Sequence, residues 1–250
     1  MTALSVNLNK VATIRNTRAL GIPSVLRAAS ICLQAGANGI TVHPRPDERH
    51  IRPADVHELS ELIKDMPGVE FNIEGNPFHN LMDFVRRDKP NQVTFVPDDH
   101  SQITSDHGWR FPSDYDRLKP LIQESKDLGV RVSLFMDAEP DQMHYVRELG
   151  AERVELYTEP YASAYGTPMQ STVLEQFRAA AQCAADAGLM INAGHDLNLN
   201  NLGSLLRAIP YIEEVSIGHA LIGDALELGY TAAVSAYLSC IKQAKLGALK

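Results

Sequence analysis

The stretch Gln34-Ala35-Gly36-Ala37-Asn38-Gly39-Ile40-Thr41-Val42 reads as the last turn of a helix, a glycine stop and a short buried strand. The same plan returns as DLGVRVSL at Asp127–Leu134, LGAERVEL at Leu149–Leu156 and DAGLMIN at Asp186–Asn192. A helix-stop-strand unit repeated along a chain implies parallel strands joined by crossover helices. Outward from these units, eight short strands are expected: Leu4–Asn7, Gly39–His43, Val69–Asn72, Gln92–Val96, Arg131–Met136, Arg153–Tyr157, Met190–Ala193 and Glu214–Ile217. Most read as continuous apolar runs, the pattern of parallel strands covered on both faces. Helical patterns fall between them, at Ser24–Ala35, Pro53–Ile63, Pro77–Arg87, Ser113–Leu128, Asp141–Leu149, Ser171–Ala187 (with Ser171 as N-cap), Leu199–Ile209 and Ala220–Ala244. Eight such units in 250 residues favour one α/β domain over residues 1–250, a closed (β/α)8 TIM barrel. No GxGxxG follows the first strand, which weakens a dinucleotide-binding sheet.

Composition narrows the function. The chain is 44% hydrophobic and 22% charged, as globular proteins are, with a net charge of −8. An acidic chain is poorly suited to sequence-independent nucleic-acid binding, and any anionic ligand must be held by local cations and backbone dipoles. Cys32, Cys183 and Cys240 are widely spaced and form no CxxC pair, so reduced thiols and a cytoplasmic location are expected. No signal peptide and no span of ~20 apolar residues is read, so no membrane partner is expected.

In such barrels chemistry sits where the strands end. The first strand ends in Asn7-Leu8-Asn9-Lys10, the second in His43 with Arg45 and His50 beyond it, the seventh in Asn192-Ala193-Gly194-His195, and the eighth in Gly218-His219. The third strand carries Glu70 and the sixth Glu155. Each histidine alone also reads as a helix cap or a solvent contact. A glutamate inside a barrel strand needs a partner, so Glu70 is either a structural ion pair or a general base with its pKa raised by burial. His57, His79 and His144 fall in helical stretches and read as surface residues, while His100 and His107 lie in the long polar stretch Pro97–Pro112, a candidate lid. Glycine turns at Gly194 and Gly218, the second opening a helix, form a plausible anion site, and Arg15, Arg18 and Arg45 suit a second phosphate, with a solvated surface role the alternative for Arg15.

The segments VNLNKVATIRNTR, GANGITVHPRPDERHI, VEFNIEGNP, GVRVSLFMDAEPDQ, VELYTEPYA, INAGHDL and VSIGHALIG together resemble the motif series of the pyridoxine 5′-phosphate synthase (PdxJ) family over essentially the whole chain. The resemblance implies a barrel with extra helices, a homo-octamer, and condensation of 3-amino-2-oxopropyl phosphate with 1-deoxy-D-xylulose 5-phosphate, with no metal or organic cofactor. By motif it implies His43, Glu70 and His195 as acid–base residues and Glu155 as a stabiliser of transition-state charge. It places Asn7, Arg18, Gly218 and His219 on the amino-ketone phosphate, and Arg45, His50 and Thr104 on the deoxyxylulose phosphate. Asn9-Lys10 stands where many members have Asp-His, and is expected to contact the sugar phosphate. Asp196 stands where the family often has Gly, and is also expected near substrate. Tyr157 replaces a frequent His. Two other readings stay open on the residues themselves: a metal-dependent phosphosugar aldolase or epimerase, with His43, Glu70, His195 and His219 ringing a divalent ion, and a non-catalytic barrel that binds a phosphorylated metabolite.

Overall fold

The computed structural model describes residues 1–99, 102 and 104–248, so the expectation for His100 lies outside the described residues. Eight parallel strands, β1 (Ala3–Asn7), β2 (Gly39–Val42), β3 (Glu70–Gly75), β4 (Gln92–Phe95), β5 (Arg131–Met136), β6 (Arg153–Tyr157), β7 (Met190–Gly194) and β8 (Ile212–Ile217), pair in chain order, and β8 closes onto β1. The described helices are α1 (Asn9–Asn16), α2 (Val25–Gln34), α3 (Pro53–Ile63), α4 (Leu81–Asp88), α5 (Tyr115–Asp127), α6 (Met143–Glu148), α7 (Glu159–Ala164), α8 (Gln170–Asp186), α9 (Leu202–Ala208), α10 (His219–Leu228) and α11 (Tyr230–Ala248). The closed barrel expected from the repeated units is therefore present.

The repeat works as its chemistry suggests. Ser24 Oγ accepts a hydrogen bond from the Arg27 amide (3.2 Å) and opens α2. Gly36 then takes φ = +102°, a conformation costly for a residue with a Cβ, and turns the chain into β2. Asn38 Oδ1 accepts from the Leu4 amide (3.0 Å), tying the entrance of β2 to β1.

The strands depart from the expected continuous apolar runs, because they alternate. Leu4, Val6, Ile40, Val42, Phe71, Ile73, Val93, Phe95, Val132, Leu134, Val154 and Leu156 are buried in the main apolar core. The intervening Ser5, Thr41, Asn72, Thr94, Ser133 and Glu155 are buried and polar. Their bonds join strands that share no ladder: Thr94 of β4 donates to Glu155 of β6 (3.4 Å), Arg153 of β6 donates to Glu214 of β8 (3.3 Å), and Asn7 of β1 donates to Glu74 of β3 (3.3 Å). Such contacts can only cross the lumen. The apolar face thus packs on the helices, and the lumen is a polar network in which most buried groups bond one another, while Gln92 Nε2, Ser133 Oγ and Arg153 Nε are left without a partner among the described residues.

Several boundaries also moved. β3 starts at Glu70 rather than Val69 and runs three residues past Asn72, to Gly75. The helix expected from Pro77 begins at Leu81, and the single helix expected over Ala220–Ala244 breaks at Gly229 into α10 and α11. Met169, not Ser171, occupies the cap position of α8. Helices α1 and α7 were not read from the sequence and, with α11, are additions to the eight repeating units.

Candidate active site

A cavity of about 490 Å³ opens at the C-terminal end of the barrel. It is lined by Asn7, Asn9 and Lys10 after β1, His43, Arg45, Arg49 and His50 after β2, Glu74 on β3, Thr104 and Ser105 after β4, Glu155 on β6, His195 and Asp196 after β7, and Gly218 and His219 after β8. Most of the expected site residues therefore converge. Val96, Phe135 and Tyr157 form a small apolar cluster of their own, and Val96 and Phe135 lie on the cavity wall.

Glu70 does not converge. It opens β3, four residues before Glu74, which at about 3.3 Å per residue puts the two carboxyls ~13 Å apart along the strand on the same face. Glu70 is 38% exposed and ion-paired with Arg131, the first residue of β5. It therefore holds the entrance of the barrel, and the expectation that it is an acid–base residue is corrected. Glu74, on the same face at the other end of the strand, lines the cavity instead. The divalent-ion ring that included Glu70 fails for the same reason, and among the described residues no group of three or more His, Cys, Asp or Glu side chains is arranged to hold a metal ion.

Burial sets the protonation of this site. Glu74 is held well above the ordinary carboxylate range, chiefly by desolvation and then by the neighbouring Glu155, Asp98 and Glu214, with the Asn7 hydrogen bond opposing. Glu155 is pushed up to about 8 by desolvation and by Glu214, with Thr94 opposing. Burial thus favours the protonated form of both carboxyls. His43 is pushed down to about 3 by burial, then by Arg45 and Arg49. Its Nδ1 lies 3.9 Å from Glu74 and its Nε2 3.5 Å from Asp98. Neither carboxyl holds a proton on the ring, because burial favours the uncharged form of both Glu74 and Asp98, and Asp98 is also paired with Arg45 at 2.8 Å. Neutral His43 accordingly stands as a base between the Glu74 and Asp98 side chains. His50 is likewise pushed down to about 3, by burial and then by His43 and Lys10. Its Nδ1 accepts from the Ile51 amide (3.0 Å), so its remaining proton sits on Nε2.

The rim is cationic although the protein is acidic. Arg45 donates from Nη2 to the carbonyls of Asp99 (2.8 Å) and Gln102 (2.9 Å), and Arg49 donates from Nη1 to the same Gln102 carbonyl (2.9 Å). These bonds fold the segment after β4 over the cavity. Trp109 anchors its far end by donating from Nε1 to the Phe95 carbonyl (2.8 Å). Thr104 Oγ1 reaches His195 Nε2 at 3.0 Å. Of the stretch Pro97–Pro112, Thr104 and Ser105 line the cavity. The exposed His219 begins α10, whose N-terminus faces the cavity with Gly218 at the cap.

Other assignments change character. Asn9 Oδ1 accepts from the His43 amide (2.9 Å), and Asn7 Oδ1 accepts from the Asn9 amide (3.0 Å), so this pair builds the end of β2 as well as lining the cavity. Arg15 is neither a phosphate ligand nor a solvated cation. It is buried against Asp55 and donates from Nη2 to the His50 carbonyl (3.1 Å), fixing the loop that carries His50. Arg18 is exposed and outside the cavity lining. Glu74 and Arg49 were missed by sequence reasoning. Both lie inside quoted motifs, and the period-2 alternation Glu70-Asn72-Glu74 was the signal for the first.

Comparison with known proteins identifies the family. The model of the family described as "Pyridoxal phosphate biosynthesis protein PdxJ" matches residues 4–243. Proteins named pyridoxine 5′-phosphate synthase are similar along their full length. One from Albidiferax ferrireducens is 61% identical, covering 98% of this chain and 99% of the relative. One from Xanthomonas oryzae pv. oryzae is 51% identical with 99% of each covered, and one from Bacteroides thetaiotaomicron is 49% identical with 97% and 100% covered. Among solved structures, a tryptophan synthase from M. tuberculosis superposes with a TM-score of 0.64 at 12% identity (96% of this chain, 93% of that one). A phosphoribosyl anthranilate isomerase from Thermus thermophilus superposes with a TM-score of 0.56 at 14% identity (97% and 99%). At that identity they share the barrel alone.

Proposed function

The chain belongs to the PdxJ family, and from that membership and the site we propose that it is a pyridoxine 5′-phosphate synthase, condensing 3-amino-2-oxopropyl phosphate with 1-deoxy-D-xylulose 5-phosphate to give pyridoxine 5′-phosphate, phosphate and water. The observation that carries this reading is the convergence of His43, Glu74, Glu155 and His195, from four different strands, on one cation-rimmed cavity. The reaction joins an amine to a ketone, eliminates water, expels phosphate and closes a ring. Each elimination needs a neutral acid beside a leaving oxygen and a base beside a C–H or N–H. Protonated Glu74 and Glu155 supply the first, and neutral His43 the second. His195, at the opposite side of the mouth beside the lid, supplies a further proton-transfer group.

Two anionic handles orient the reacting carbons. The N-terminus of α10 with Gly218 and His219, beside Asn7, suits the amino-ketone phosphate. Arg45, Arg49, His50 and Thr104, with exposed Lys10 at the rim, suit the sugar phosphate. The reading uses no metal or organic cofactor. A cytoplasmic homo-octamer completes it. The free thiols support the location, and the exposed apolar side chains of Leu20, Ile22, Leu226 and Leu228 support self-association. In the decisive assay, purified protein in chelator is given both phosphates, and mass spectrometry follows pyridoxine 5′-phosphate while released phosphate is measured. Absence of both products from a folded protein sinks the proposal, and light scattering of the same sample reports the assembly.

A further inference from the structure

The turn after β7 carries two consecutive non-glycine residues at positive φ, His195 at +89° and Asp196 at +60°. L-residues with side chains avoid that region, and surroundings must hold them there. The surroundings do so from buried positions. Thr158 Oγ1 donates to the Gly194 carbonyl (2.8 Å) and the His195 carbonyl (2.6 Å), and Asn201 Nδ2 donates to the Asp196 carbonyl (3.2 Å). Thr158 and Asn201 are essentially without solvent contact. A glycine after the histidine would relieve the second strained residue, yet this chain keeps a carboxylate there.

That carboxylate faces the histidine, with Asp196 Oδ2 2.9 Å from His195 Nδ1. The other ring nitrogen, Nε2, is directed to Thr104 Oγ1 in the lid. Asp196 is held towards its ionised form, its pKa lowered chiefly by the hydrogen bond with His195, with partial burial opposing and the electrostatic influence of His195, His219 and Lys10 adding to the effect. An ionised carboxylate can only accept. Nδ1 must then carry the proton, and in the neutral ring Nε2 offers its lone pair to the cavity side. Thr104 donates to it until a substrate group takes that place.

We infer that Asp196 is a positioning residue that fixes the tautomer and ring orientation of His195, making Nε2 the atom through which it moves protons. The expectation of a direct substrate contact by Asp196 is replaced by action through the histidine. The consequence for turnover rests on the function proposed above, whereas the tautomer does not.

Imidazole 15N spectra of the full-length protein, compared with Asp196→Gly, test the inference. Glycine suits φ = +60°, so the turn survives the change. Wild type is expected to show His195 protonated at Nδ1 and not at Nε2. In Asp196→Gly the proton is expected to redistribute towards Nε2, and kcat to fall about tenfold with KM within about twofold, the pattern of a group acting in the transition state rather than in binding. A wild-type His195 that carries its proton on Nε2 overturns the inference, even if the variant fails to fold. So does a variant whose tautomer is unmoved, or one whose kcat is unchanged although the tautomer has shifted. Should wild type form no pyridoxine 5′-phosphate, the functional reading fails while the spectra still decide the pairing.

Discussion

Two glutamates on one face of one strand allow the site to be tested against its own internal control. Glu74→Gln preserves volume, and a glutamine oxygen can still accept from Asn7 Nδ2, which now lies 3.3 Å from the carboxyl. Because burial favours the uncharged form of Glu74, the substitution puts a neutral group of the same shape in its place, and stability near pH 7 should change by less than about 1 kcal/mol. What it removes is the transferable proton. Loss of one general acid–base group is worth about 10²–10⁴-fold in rate, or ~3–5 kcal/mol of barrier. Glu70→Gln breaks a pair in which Glu70 is 38% and Arg131 22% exposed, so solvent screening limits the cost to about 0–1 kcal/mol. Its turnover should stay within about twofold of wild type. Product formation from both phosphates, beside thermal melts of all three proteins, reads both quantities. If Glu70→Gln loses activity as deeply as Glu74→Gln while melting normally, the geometric assignment of the acid is wrong.

The pH dependence of stability has a definite sign. Glu155 is pushed up from the ordinary carboxylate value of 4.5 to about 8, so the folded state keeps its proton longer than the unfolded chain does, and the associated stability is present at low pH and lost as pH rises from about 5 through 8. Melts of wild type should therefore fall across that window by an amount equivalent to a few kcal/mol, and Glu155→Gln should flatten the fall; an equally steep fall in the variant counts against burial as the cause. Gly194 has room for no side chain, since a Cβ there would stand 2.4 Å from Glu155 Oε1, so Gly194→Ala should cost ~1–3 kcal/mol in denaturant unfolding and reduce turnover; a wild-type unfolding midpoint would argue against this tight approach. Asp55→Ala strands the buried Arg15 guanidinium and loosens the loop that carries His50, and should cost about 3–5 kcal/mol of stability and raise the sugar-phosphate KM; an unchanged KM in the surviving folded fraction would detach His50 from that phosphate.

How much of this was legible in the sequence depended on whether a feature is local. The helix-stop-strand unit around Gly36 is local, because the end of the helix, the glycine stop and the buried strand all lie within the stretch from Gln34 to Val42, and eight such units define a barrel without any knowledge of distance. Strand ends are nearly local too, and for that reason His43, Glu155, His195 and His219 reach the cavity from motifs read one at a time. The choice between Glu70 and Glu74 is different in kind. Both face the lumen, both are glutamates, and only the length of β3 decides which of them is at the mouth. Length was misjudged because the lumen-facing residues of this barrel are polar, so Asn72 looked like the end of a strand when it was one rung of an alternating ladder, hydrogen-bonded by Thr94 from β4 at 3.1 Å. Arg15 failed for a related reason, since its partner Asp55 is 40 residues away and nothing near either residue announces the pair. A polar lumen thus explains both the misread strand and the chemistry. Carboxyls stacked inside a barrel raise one another's pKa, and two of them, Glu74 and Glu155, line the cavity with their protonated forms favoured, the condition under which a group can lend a proton to a departing oxygen in the proposed ring closure and regain one from the base side.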